Sequence, residues 1–186
     1  MVDQCVMVST KRSPVGKYLG ALSELEPLDL AVQVAKAALT PAGKSIGKEI
    51  DQIFVGNCIP SAFETGSVVG RQIGLKLGLD VFTTTIDTAC CSPLTALRLA
   101  VWGLRLGELE AALIIGVESM SRVPHFTKEL RTGVQLREVR LTYELRRRGG
   151  GQWMAAICGG LTQGEKRNRP LLYRHYRCPK TGNDRC

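Results

Sequence analysis

The residues best suited to covalent chemistry lie in one short stretch, Asp87-Thr-Ala-Cys90-Cys91-Ser-Pro93. It separates Phe82–Ile86 (FTTTI), rich in β-branched residues and read as a strand, from LTALRLAVWGLRLG, an apolar helical pattern that stops near Gly107. A cysteine at such a junction sits near backbone N–H groups that have no intrahelical acceptor, and those groups and the helix dipole favour thiolate over thiol. That sulfur could attack a thioester carbonyl while neighbouring N–H groups stabilise the oxyanion. On spacing alone the competing reading stays open, because a single cysteine is more often a small buried packing residue.

The other reactive side chains are less well placed. The seven cysteines are Cys5, Cys58, Cys90, Cys91, Cys158, Cys178 and Cys186, an odd number without the rhythm of a secreted scaffold. In a reducing compartment they are thiols. Cys158, His175, Cys178 and Cys186 lack two close C-x-x-C pairs, so no metal site is expected. Met120 reads as a packing residue. Glu118 reads either as a hydrogen-bonded structural carboxylate or as an ordinary charge at a strand end.

The elements that must position Cys90 alternate. Cys5–Ser9 is a short apolar strand, followed by the loop TKRSPVGKYLG. Leu28–Leu39 has helical spacing with Asp29 in its first turn. Ile53–Val55 is a second strand, and a helix weakened by two internal glycines follows over about 65–77. After the Phe82–Ile86 strand and its helix, Ala111–Ile115 is a fourth strand, closed by Gly116. The strands are continuous apolar runs, which implies a mostly parallel sheet with helices on both faces. Past Arg122 the pattern decays to one possible helix and a GGG break, with no convincing buried strand. The expected organisation is a domain over 1–125 and a basic Gly/Arg/Cys-rich tail over 126–186, poorly ordered or divergent.

The net charge of +8 belongs to that tail. Residues 1–130 hold 12 basic and 13 acidic side chains, whereas residues 131–186 hold 13 and 4. RRRGGG and EKRNRPLLYRHYRCPK read as a solvated basic segment rather than a nucleic-acid surface. No window reaches the run of about 18 apolar residues that spans a bilayer, and no signal peptide is read at the start. The expected location is the cytoplasm.

TIDTACCSPLTAL is similar to the active-site segment of thiolases, Asn-x-x-Cys-small-Ser-Gly-Leu-x-Ala before a long helix, and to the Asp-Thr-Ala-Cys segment of β-ketoacyl synthases. Four further segments resemble thiolases in the right order. They are Arg12-Ser13-Pro14 with Gly16, the Gly56-Asn57 strand end, Arg71-Gln72, and Gly116 with Glu118, Met120 and Ser121. The resemblance covers residues 5–125 and implies an α/β thiolase-like fold of which this chain holds the N-terminal half, incomplete. It implies Cys90 as the acyl-accepting nucleophile in a ping-pong reaction of acyl-CoA, by thiolytic cleavage or Claisen condensation. Coenzyme A thioester is then a substrate, with no separate cofactor. It also implies a homodimer or assembly with a complementary subunit.

Pro93 stands at the family's Gly position and Asp87 at the thiolase Asn. The family's Gly-His-Pro histidine and second catalytic cysteine have no match: His125 and His175 lie in other contexts, and Cys158-Gly159-Gly160 lacks the family's spacing. The expectation is therefore a truncated thiolase-type acyltransferase. The alternatives are a β-ketoacyl-synthase-like condensing unit and a noncatalytic thiolase remnant.

Overall fold

The computed structural model describes residues 5–40, 47–59, 68–127, 129–133, 139, 141–143 and 155–163. Their order is β1 (Cys5–Arg12), α1 (Pro27–Ala38), β2 (Gln52–Gly56), α2 (Val69–Leu77), β3 (Phe82–Ile86), α3 (Ser92–Leu106) and β4 (Ala111–Glu118). Short strands β5 (His125–Phe126) and β6 (Thr142–Tyr143) follow, then β7 (Ala155–Gln163). The main sheet has the order β1-β7-β4-β2-β3. Strands β4, β2 and β3 run parallel, while β7 pairs antiparallel with both β4 and β1.

Alternation along β2 and β4 divides the core. Ile53 and Val55 point with Leu113, Ile115 and Val117 toward α1 and α2, where Leu30, Ala31, Val34, Ala35 and Ile73 are buried. Phe54 points with Ala112 and Ile114 toward α3, where Ala96, Ala100 and Leu104 are buried. The sheet thus has helices on both faces, as the continuous apolar strands require. Each large side chain fully buried this way stabilises the fold by about 1.5–3 kcal/mol.

The helices begin and end by local chemistry. Pro27 and Pro93 lie in the first turns of α1 and α3, where a missing N–H costs nothing. Helix α3 ends at Gly107, whose φ of +75° suits glycine and whose N–H closes the last turn on Leu104.

Strand β7 corrects the expectation of no convincing buried strand after Arg122. It lies inside the main sheet, with Cys158 opposite Ile115 on one side and Lys11 on the other. Glycine-glycine in its middle opposes strand propensity, so a reading by composition rejects the segment. Pairing along both edges supplies what propensity lacks. Cys158-Gly159-Gly160 therefore has a strand framework that the sequence concealed. The arginine-rich segments, His175, Cys178 and Cys186 lie outside the described residues.

Candidate active site

Parallel strands β2, β3 and β4 end on the same side of the sheet, where open α/β sheets commonly place their reactive groups. Three segments meet there: Gly56–Ile59 after β2, Asp87–Cys91 after β3, and Glu118–Arg122 after β4. Asn57, buried, ties them together. Its backbone N–H donates to the Ile86 carbonyl at 3.1 Å, and its Nδ2 donates to the Val117 carbonyl at 2.9 Å and to Glu118 Oε1 at 3.2 Å.

Cys90 lies on the tight turn between β3 and α3, and its side chain is exposed. The turn is made by Ala89, a non-glycine residue at φ +53°. That left-handed conformation costs an L-residue about 1–2 kcal/mol, so its surroundings must impose it. Ser92 does so from below. Its buried Oγ accepts the Thr88 N–H at 2.9 Å and donates to the Ala89 carbonyl at 2.6 Å. The Asp87 carboxylate accepts the Ala89 N–H at 3.1 Å, and the Thr88 and Thr95 hydroxyls meet at 2.8 Å.

These bonds revise the expectation of several unpaired N–H groups around Cys90. The N–H groups of Cys91 and Ser92 donate to Thr88 and Ala89 carbonyls at 3.2 and 3.0 Å. The turn thus consumes its own donors, and a backbone bridge joins Thr88 and Cys90 across Ala89.

Close approach of α3 to β2 fixes the height of this turn. A Cβ placed on Gly56 would lie 2.5 Å from both the Pro93 nitrogen and the Ser92 carbonyl carbon. Glycine there lets the helix start rest on the strand end. Pro93, the departure from the thiolase pattern, forms part of that contact.

Glu118 is the structural carboxylate of the two readings the sequence left open. One oxygen accepts Asn57 Nδ2 and the Ile59 N–H, and the other accepts the Cys58 N–H at 3.0 Å and its thiol at 2.8 Å. Burial pushes its pKa above the ordinary value. The Cys58 and Ile59 donors restrain that rise, and the Asp87 charge adds to it. Met120 packs with Ile59, Val123 and Cys58, as a packing residue should.

The remaining motif residues take supporting places. The Ser121 hydroxyl accepts the Leu19 N–H at 2.9 Å, which lays the loop after β1 against the exit of β4. Arg122 pairs with Glu26 beside that loop, its Nε 2.6 Å from the carboxylate. Arg71 turns to the surface and pairs with Asp80 at 2.9 Å. His125 is exposed on β5. The roles of Ser92 and Cys58 escaped the sequence reading, although a serine at a helix start is a recognisable signal.

An exposed cysteine on a strand-to-helix turn, at the carboxyl edge of a mixed α/β sheet, defines a recognisable class of domain. The chain belongs to the thiolase family: the family described as thiolase, N-terminal domain, matches residues 5–162. It is 33% identical over 129 residues to the cytosolic acetyl-CoA acetyltransferase of Gibberella zeae, covering 69% of this chain and 32% of that one. Among solved structures it resembles the acetyl-CoA acetyltransferase of Syntrophomonas wolfei, with a TM-score of 0.71 and 30% identity over 78% of this chain and 36% of the other. It also resembles human mitochondrial 3-ketoacyl-CoA thiolase solved in complex with CoA, with a TM-score of 0.71 and 30% identity over 77% and 37%. The chain spans about a third of the length of each of these relatives. Among the described residues no helix is long and apolar enough to cross a membrane.

Proposed function

We propose that this chain supplies the acyl-accepting half of a thiolase-type acyltransferase, with Cys90 as nucleophile and acyl-CoA as donor. What supports this is the position of Cys90 in a member of the thiolase family: exposed, on a strained turn, at the start of a helix held against the sheet. In the first half-reaction the Cys90 thiolate attacks the thioester carbonyl. A carbon–sulfur bond to Cys90 forms, the bond to the CoA sulfur breaks, and CoA thiolate leaves and takes up a proton. Backbone N–H groups at the start of α3 are, in this reading, the donors to the transient oxyanion.

Turnover needs a histidine base and a second cysteine that handles protons, which in this reading come from a complementary half or subunit, while coenzyme A or a second acyl-CoA takes the acyl group from Cys90. The outward face of α3 suits that arrangement, because Leu94, Trp102 and Leu106 stand exposed along it. A second copy or a complementary subunit covers that face in the proposal. Size-exclusion chromatography with light scattering tests it, and a well-folded monomer at all concentrations would count against it. The compartment is proposed to be the cytoplasm, as in the Gibberella zeae relative's name.

Intact-mass measurement after incubation with acetyl-CoA tests the chemistry. One acetyl adduct per chain is expected, absent from Cys90→Ala and present in Cys58→Ser. An adduct that persists in Cys90→Ala would remove Cys90 as acceptor.

A further inference from the structure

Cys91 has no part in the acyl-transfer reading, yet it is as exposed as its neighbour. Neither the Cys90 nor the Cys91 sulfur has a hydrogen-bond partner among the described residues, whereas the Cys58 thiol is engaged by Glu118 at 2.8 Å. Two exposed thiols therefore belong to successive residues of one turn. Adjacent Cα atoms are ~3.8 Å apart, closer than the ~4.4–6.8 Å that a relaxed disulfide requires. The pair consequently resists closing on itself and remains a dithiol. A single large, soft atom placed between the sulfurs widens their separation and relieves that mismatch, and thiolates favour soft centres.

We propose that Cys90 and Cys91 form a two-sulfur binding site for monosubstituted trivalent arsenicals. With an arsenoxide, two arsenic–sulfur bonds form and the arsenic–oxygen bond breaks. Both thiol protons leave with that oxygen as water, and no atom changes oxidation state. The second sulfur acts at high effective concentration once the first has bound, so the chelate outlasts single-thiol adducts by about 100-fold or more. This site rests on two adjacent exposed sulfurs and holds whether or not Cys90 accepts acyl groups.

The test uses the full chain and phenylarsine oxide, with intact mass read after gel filtration in excess 2-mercaptoethanol. One phenylarsenical per chain is expected to survive that wash and to be removed by ethanedithiol. Cys91→Ser and Cys90→Ser should each lose retention by about 100-fold. Cys58→Ser and the double variant Cys178→Ser/Cys186→Ser should keep it, with circular dichroism verifying that each variant is folded. Release of the arsenical from the unaltered chain by the monothiol wash would overturn the proposal, as would undiminished retention in folded Cys91→Ser.

Discussion

Cys58 and Cys90 lie just past the ends of neighbouring parallel strands, yet their surroundings differ in kind. The end of β2 is sealed: Cys58 gives both its N–H and its thiol to Glu118, and Asn57 stitches the same carboxylate to three strands. The end of β3 is open: Cys90 stands exposed on a turn held in a disfavoured conformation. Residue type alone does not tell an exposed thiol from an engaged one. What separates the two is whether the surrounding polar groups are spent on the sulfur or on the backbone that presents it. The sealed end serves as the foundation, and Gly56 is where the open end rests on it.

Placing a methyl group on that contact should have the largest effect. Gly56→Ala drives a Cβ into the backbone of Ser92 and Pro93, and is expected to lower the unfolding free energy in urea by about 3 kcal/mol. It should also slow alkylation-independent acetyl transfer to Cys90 by displacing the turn. An unchanged urea midpoint would mean that α3 does not rest on β2 at this point.

Glu118→Gln attacks the foundation itself. The amide offers one acceptor oxygen where the carboxylate serves four donors, so at least one buried donor is stranded, at a cost of about 2 kcal/mol. Iodoacetamide should then label Cys58 faster, narrowing its contrast with Cys90. The substitution has a pH signature too. Because burial raises the folded carboxyl above its ordinary value of 4.5, the native state holds the proton more tightly than the unfolded chain. That stabilising contribution is complete below the unfolded value and is lost as pH rises through the folded one. Glu118→Gln should flatten this part of the stability profile, and a slope that survives would assign it to another group.

Two smaller changes act on the open end. Ser92→Ala removes the hydroxyl that brackets Thr88 and Ala89 and should cost about 1–1.5 kcal/mol, read by thermal or urea unfolding. It should also lower the rate of Cys90 acetylation. Ala89→Gly relieves the left-handed strain and should raise stability by about 0.5 kcal/mol, the gain being partly offset by glycine's greater freedom in the unfolded chain. If Ala89→Gly destabilises instead, the turn is not strained by its side chain.

Much of this arrangement was legible in the residues themselves. Phe82–Ile86 reads as a strand and is one, and the helix after it stops at Gly107 as its pattern suggests. Continuous apolar runs at β2 and β4 foretold a sheet covered on both faces. Position, rather than composition, hid the remainder. Nothing in the letters of Cys58 reveals that its thiol meets a carboxylate 60 residues away, because that contact exists only once β2 and β4 pair in register. Gly159 and Gly160 argue locally for a break, yet β7 takes its conformation from neighbours on both sides. The donors around Cys90 were overcounted for a related reason: a tight turn satisfies itself, which residue types alone do not disclose.

The place of β7 carries a consequence for how the protein is made. Among the described residues β1 pairs in the sheet only with β7, so Cys5 waits for Gln163, far along the chain. Until that late segment emerges, β1 and the flank of β4 both present unpaired backbone, and closing so long a loop is slow. The nascent chain can assemble β2, β3, β4 and their helices early, while the seam through β7 that ties β1 to β4 is sewn only once residue 163 has been synthesised.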